Sequence, residues 1–272
     1  MNLRHALTGR AAAAATAALM LAAAVTPVAL AAPARADVTK CSAQSNPLQC
    51  IQLFGDSEIA KRLTSLQEAT TKVNAIVTKG QLTNAQAQPL LSQISTDESG
   101  LHALKTKLDA ETTVEAARAD VKSIYLTFRI YAVFLPKLRH VVWLDVMTNV
   151  AFKMTHGTTK SGKPILDAIQ DAINKAPAGQ RAQLNSLFAD YKKQVQEAEA
   201  QIDAAQGQLP VLTPNTFNTD RDTYNQAFTA LKTDSTAAHN ALKAARTDLH
   251  QILAILKGDR ATATPASATA TP

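Results

Sequence analysis

The chain has 272 residues, 28 basic and 22 acidic side chains, a net charge of +6 and only two cysteines. Residues 1–36 carry Arg4, Arg10 and Arg35 and no acid, so without them the balance falls to +3, too near neutrality to mark a nucleic-acid surface. No charge-free apolar run beyond residue 36 approaches the ~18 residues that a membrane helix needs.

Arg4 and Arg10 precede an apolar run from about Ala11 to Leu30, and Ala34-Arg35-Ala36 follows it. That order describes a secretory signal peptide, and cleavage after Ala36 leaves Asp37–Pro272. Cleavage after Ala31 is an alternative; an uncleaved anchor fits less well with Pro27 and the small-residue site. Cys41 and Cys50 lie just beyond, and an even pair at short spacing in an exported chain reads as a disulfide, giving a closed segment over residues 37–55.

Helical periodicity follows without a competing strand pattern. Gly55-Asp56-Ser57 offers a helix start, and Ile59, Leu63, Leu66, Thr70, Val73 and Val77 recur at steps of four and three up to Gly80. Thr83 and Gln86 form a capping box for a second helix, through Leu90, Ile94, Asp97, Leu101, Leu104 and Leu108. The short connection makes the two an antiparallel hairpin. Pro89 and Gly100 should bend and weaken the second helix.

Thr112 and Glu115 suggest the start of a central helix, Val114 to Met154, which holds six of the twelve aromatic residues: Tyr125, Phe128, Tyr131, Phe134, Trp143 and Phe152. It is apolar around most of its circumference after Val141, as an interior helix would be. Pro136 removes a donor and crowds the Ala132 carbonyl, which predicts a kink there. A polar loop over Thr155–Gly162 precedes a short helix from Pro164 to about Lys175.

The last third keeps a four-three alternation through Leu184, Phe188, Tyr191, Val195, Ala198, Ile202, Ala205 and Leu209. It resumes at Tyr224, Phe228, Leu231, Ser235, Ala238, Leu242, Ala245, Leu249, Ile252 and Leu256, the spacing of a coiled-coil seam. Pro210 and Pro214 separate the two helices, Thr219 and Asp222 cap the second, and Gly258 ends it. Residues 259–272 form an Ala/Thr/Pro tail with nothing to bury, read as disordered, either solvated or glycosylated. The expected fold is an all-α, elongated antiparallel bundle over residues 56–258, one domain with coiled-coil-like hairpins and a Pro-kinked central helix.

Nucleophile-elbow, Walker, dinucleotide and zinc-protease motifs are missing, and no two histidines share a helix face as a metal pair would. His102, His140, His156, His239 and His250 read as scattered surface residues, so no enzyme activity, cofactor or metal is expected. The exception is Asp145, which lacks a basic neighbour on its own helix and needs one from elsewhere if buried. Arg129, Lys137 and Arg139 are the nearest bases. With Tyr131 they outline either a structural ion pair or a ligand pocket at the kink.

The segment FRIYAVFLPKLRHVVWLD and the preceding GQLTNAQAQPLLSQISTDESGLHALKTKLDAETTVEAARADVKSIY resemble a group of secreted, alanine-rich bacterial helical proteins without assigned activity, over about Leu63 to Asp145. The resemblance implies export and a helical fold and brings no functional residues with it. The leading expectation is an exported, non-enzymatic helical protein, secreted or wall-associated, acting by contact with a protein or the cell envelope. The alternative is a bundle that binds a small apolar or anionic ligand near the kink. Self-association is compatible with either.

Overall fold

The computed structural model describes Cys41 and residues 45–262, without the side chains of 259–262. The expected signal peptide and the last ten residues lie outside the described residues. The fold is all-α, and the described residues hold no strand beyond a single Thr158–Pro164 bridge. They form two compact units. Among the described residues, the first draws on Cys41, residues 45–146 and residues 204–233, the second on residues 147–203 and 234–262.

In the first unit, helix α1 spans Pro47–Thr78, α2 spans Asn84–Ala110 and α3 spans Val114–Ser123. Helix α1 starts earlier than the Asp56/Ser57 cap suggests. The Asn46 side chain accepts from the Gln49 N–H, and Pro47 fills the first turn, where a missing donor costs nothing. Cys50 therefore belongs to α1 rather than to a separate disulfide-closed segment. Cys41 and Cys50 stand at disulfide distance, Cα atoms 5.5 Å apart. Cys41 is buried with Ile51, Leu108, Ala117 and Val121, which ties the chain ahead of α1 to all three helices.

Gly55 is interior to α1. A Cβ there would come within 2.3 Å of Leu108 Cδ2, so this glycine permits close approach of α2 rather than starting a helix. Gly80 does end α1, with φ of 65°. Its N–H bonds to the Val77 carbonyl and the Gln81 N–H to Ile76, closing a Schellman turn. The Thr83–Gln86 capping box forms as the sequence indicates. Gly100 also has a packing reason, because a Cβ there would meet Phe128 Cε1 at 2.7 Å. The cap of α3 is Thr113, one residue beyond the expected Thr112.

Beyond α3 the chain widens into two π-helical segments, Ile124–Phe128 and Ile130–Phe134, on either side of Arg129. Helix α4 then covers Leu135–His156. The discontinuity thus precedes Pro136, where the sequence suggests the kink. Pro136 sits in the first turn of α4, where its missing N–H is tolerated. A 3-10 turn, Leu209–Val211, and the short helix α7, Pro214–Thr219, return to this region before α8, Arg221–Thr262. Asp220 caps α8, accepting from the Thr223 N–H at 3.0 Å, in place of the expected Thr219.

The second unit contains α5, Ile165–Asn174, most of α6, Ala178–Gln208, and the later part of α8. Leu184, Phe188, Tyr191, Val195, Ala198 and Ile202 are buried, as are Ser235, Ala238, Leu242, Ala245, Leu249 and Ile252, so burial keeps the four-three register. The fully buried Tyr191 donates its hydroxyl to the Met154 carbonyl at 2.6 Å. The polar loop is a tight turn. Thr159 N–H bonds to the Lys163 carbonyl, Gly162 takes φ of 80°, and Lys163 pairs with Asp171 on α5. Helix α8 continues past Gly258 to Thr262, so the first residues of the expected disordered tail are helical.

Candidate functional site

The break between α3 and α4 gathers the unusual chemistry of the first unit. Arg129 adopts φ 45° and ψ 36°, the only left-handed non-glycine backbone among the described residues. A Cβ makes that conformation costly, by roughly 1–2 kcal/mol, so surrounding contacts must hold it. Helix α7, started by the Thr213 cap and Pro214, packs on both π-helical segments and supplies them.

Asn218 is the fastener. Its Oδ1 accepts from Arg129 Nε at 2.9 Å and Nη2 at 2.5 Å, while its Nδ2 donates to the Leu126 carbonyl at 2.8 Å. The carbonyls freed by the irregular turns are taken up in the same way. Tyr224 Oη donates to the Ala132 carbonyl at 3.3 Å, the acceptor that Pro136 cannot serve. The Arg129 carbonyl accepts from both Val133 and Phe134. Lys137 Nζ donates to the Leu212 carbonyl at 3.2 Å, tying α4 to the chain ahead of α7.

Phe217, also on α7, brings two cations together. The Arg129 guanidinium carbon lies 4.6 Å from its ring centroid and that of Arg221 lies 3.4 Å from it. Tyr224 meets the same ring edge-on, with centroids 4.9 Å apart. Burial, and then the positive charge of Arg221, lower the pKa of Arg129. Burial lowers that of Lys137. Among the described residues no carboxylate lies within ion-pair distance of Arg129, Lys137 or Arg221.

A second constellation lies between α1 and the segment after α3. Glu58 and Arg62 are 4 % and 3 % exposed, and Arg62 Nη1 donates to Glu58 Oε2 at 2.8 Å. Tyr125 Oη donates to the same oxygen at 3.0 Å. The Arg62 guanidinium lies 4.7 Å from the Tyr125 centroid and 5.1 Å from that of Tyr131, whose hydroxyl meets Ser65. Burial pushes the Glu58 carboxyl up, but hydrogen bonds from Lys61, Arg62 and Tyr125 outweigh it and hold the pKa below 4.5.

The sequence-derived set therefore divides. Arg129 and Lys137 reach the same junction with the 209–220 segment. Tyr131 belongs to the Arg62 cage, and Arg139 is exposed. Asp145 is half-buried, and burial raises its pKa to about 6, but no ion pair reaches it among the described residues. The expected pair fails because Arg129 is engaged by Asn218 and Lys137 by a carbonyl.

His140 also departs from expectation. It is buried, not on a polar face, against Phe228 edge-on and Trp143 tilted, and neither ring nitrogen has a hydrogen-bond partner among the described residues. Burial, then Arg139 and Lys232, lower its pKa to about 4.

Sequence reasoning missed Glu58, Arg62, Asn218 and Arg221. Glu58 and Arg62 could have been found, since they stand four apart beside the apolar series of α1. Asn218 and Arg221 carry no local signal. Among the described residues no group of three or more His, Cys, Asp or Glu side chains is placed to hold a metal. No described helix is long and apolar enough to cross a membrane. Comparison with known proteins returns no matching family model, no matching curated protein and no matching solved structure.

Proposed function

We propose that this chain is an exported, non-enzymatic helical protein that acts by contact with a protein or the cell envelope. In this reading it is secreted or wall-associated, cleaved after Ala36 and oxidised at Cys41–Cys50, like the alanine-rich secreted proteins it resembles. The observation that carries the reading is the Glu58–Arg62–Tyr125 network, whose buried charges face one another and fasten helices together. Buried ionic groups with internal partners serve structure, which leaves the outer helix faces for recognition.

Native mass spectrometry of protein recovered from the medium of its own host tests this. The proposal expects the oxidised Asp37–Pro272 mass with no organic small molecule retained. A stoichiometric organic ligand, or turnover of one, would overturn it. A second reading, an anionic ligand at the helix break, is favoured by the cations Arg129, Lys137 and Arg221, which lack carboxylate partners there.

A further inference from the structure

Two guanidinium groups face one aromatic ring at the break. Arg129 and Arg221 both approach Phe217, close enough for one charge to be felt by the other, although like charges repel. Stacking on a ring face offsets part of that repulsion and fixes both groups. The nearest acids in sequence do not neutralise them. Asp220 is engaged by the N–H and hydroxyl of Thr223, and neither it nor Asp222 pairs with Arg221 among the described residues. Lys137, half-buried on a backbone carbonyl, adds a third positive charge to the same junction.

The backbone here is built rather than frayed. Arg129 is held in a left-handed conformation, and Asn218 takes Nε and Nη2 while Nη1 has no partner among the described residues. Strained residues and π-helical turns of this kind concentrate at binding sites. Arg221 is exposed at the first turn of α8, so the pair is reachable from solvent.

We infer that Arg129 and Arg221, stacked on Phe217, form a binding site for a phosphate-type dianion. Two forked cations match a doubly charged tetrahedral oxyanion better than a single carboxylate. The group is either free phosphate or the phosphomonoester of a lipid headgroup. This inference rests on the second reading above, an anionic ligand at the break, and requires neither export nor a protein partner.

The test is calorimetric titration of the oxidised Asp37–Pro272 chain with inorganic phosphate at low salt, with acetate as a parallel titrant. A second arm measures co-sedimentation with phosphatidylcholine vesicles containing phosphatidic acid, whose phosphomonoester can carry the second negative charge. The variants are Arg221→Gln, at an exposed position, and Arg129→Gly, which removes the guanidinium and suits the left-handed backbone; circular dichroism checks that both fold. Saturable phosphate binding, weakened about tenfold or more in each variant, supports the site. Vesicle binding that phosphate competes away, and that both variants lose, assigns the headgroup as the source. Saturable acetate binding without phosphate binding overturns the phosphate assignment and leaves an anion site standing. Binding equal in wild type and folded variants, or no binding in either arm, overturns the inference, and absence of acetate binding as well removes the anionic-ligand reading.

Discussion

Asn218 holds Arg129 and Leu126 at once, accepting from the guanidinium at 2.5 Å and 2.9 Å and donating to the Leu126 carbonyl at 2.8 Å. One amide side chain thereby fixes the left-handed residue and one of the carbonyls the break would leave free. Asn218→Ala should destabilise the protein by about 1–2 kcal/mol, as for loss of a hydrogen bond to a charged group at a largely exposed site. Arg129→Ala loses the same bonds and keeps the strain, whereas Arg129→Gly relieves it. Urea melts should find the glycine variant more stable than the alanine variant by about 1 kcal/mol; the reverse order would mean the left-handed backbone is not populated.

Gly100 and Gly258 are both helical glycines, and alanine should act on them in opposite directions. At Gly100 the new Cβ would stand 2.7 Å from the Phe128 ring, while at Gly258 nothing lies within 4 Å. Gly258→Ala should stabilise by up to about 1 kcal/mol through helix propensity. Gly100→Ala should cost about 1–3 kcal/mol, since overpacking outweighs the same gain. Paired thermal melts decide it, and equal shifts would contradict the Phe128 contact.

Removing half of the Glu58–Arg62 pair should cost more than removing both. Arg62→Met leaves the buried carboxylate with only the exposed Lys61 as its cation and should destabilise by up to about 3–5 kcal/mol, whereas the double variant with Glu58→Gln should recover part of that loss. Because the Glu58 pKa is depressed in the fold, its contribution is present above pH 4.5 and lost as pH falls through the folded value. A double-mutant cycle run at neutral pH and again at acid pH should show the coupling shrink in acid.

His140 predicts the opposite side of an acid titration from Asp97 and Asp145. Burial lowers the imidazole pKa from 6.5 to about 4, so the folded state resists its protonation. Its neutral form is accommodated fully above pH 6.5, and stability is lost as pH falls from 6.5 towards 4, by up to about 3 kcal/mol. Burial raises Asp97 and Asp145 from 3.8 to about 6, which makes the fold relatively more stable as pH falls through that range. The two effects oppose each other in the wild type. His140→Leu should unmask the acids, so its stability relative to wild type should increase steadily from pH 6.5 to 4. A pH-independent difference would show that His140 is solvated.

Much of the helical plan was legible. Gly80, Thr83 and Gln86 mark a turn whose chemistry is local, and the four-three series from Leu184 and from Leu231 coincides with burial because each apolar position serves one helix face. What depends on distant partners was not legible. Arg129 is neither glycine nor asparagine, so nothing nearby announces a left-handed residue; Asn218, far along the chain, imposes it. Pro136 gave the visible sign and drew the expected kink past the actual break. Gly55 reads as part of a helix start and Gly100 as a helix weakener because the side chains they make room for, Leu108 and Phe128, belong to other segments. Of the expected site, Arg129 and Lys137 were visible as bases in an apolar stretch, whereas Arg221 joined them only through Phe217.

The most direct measurement of the contact reading is photo-crosslinking on living host cells. A photoreactive phenylalanine would replace one of the two most exposed large apolar residues among those described, Leu53 in the first unit or Phe152 in the second, with buried Phe188 as the control. The account predicts a discrete adduct with one envelope protein or wall polymer from at least one exposed position, depleted by excess unlabelled protein and absent from the control. Adducts from neither exposed position, with the exported protein recovered at its full amount and carrying an organic ligand, would contradict it.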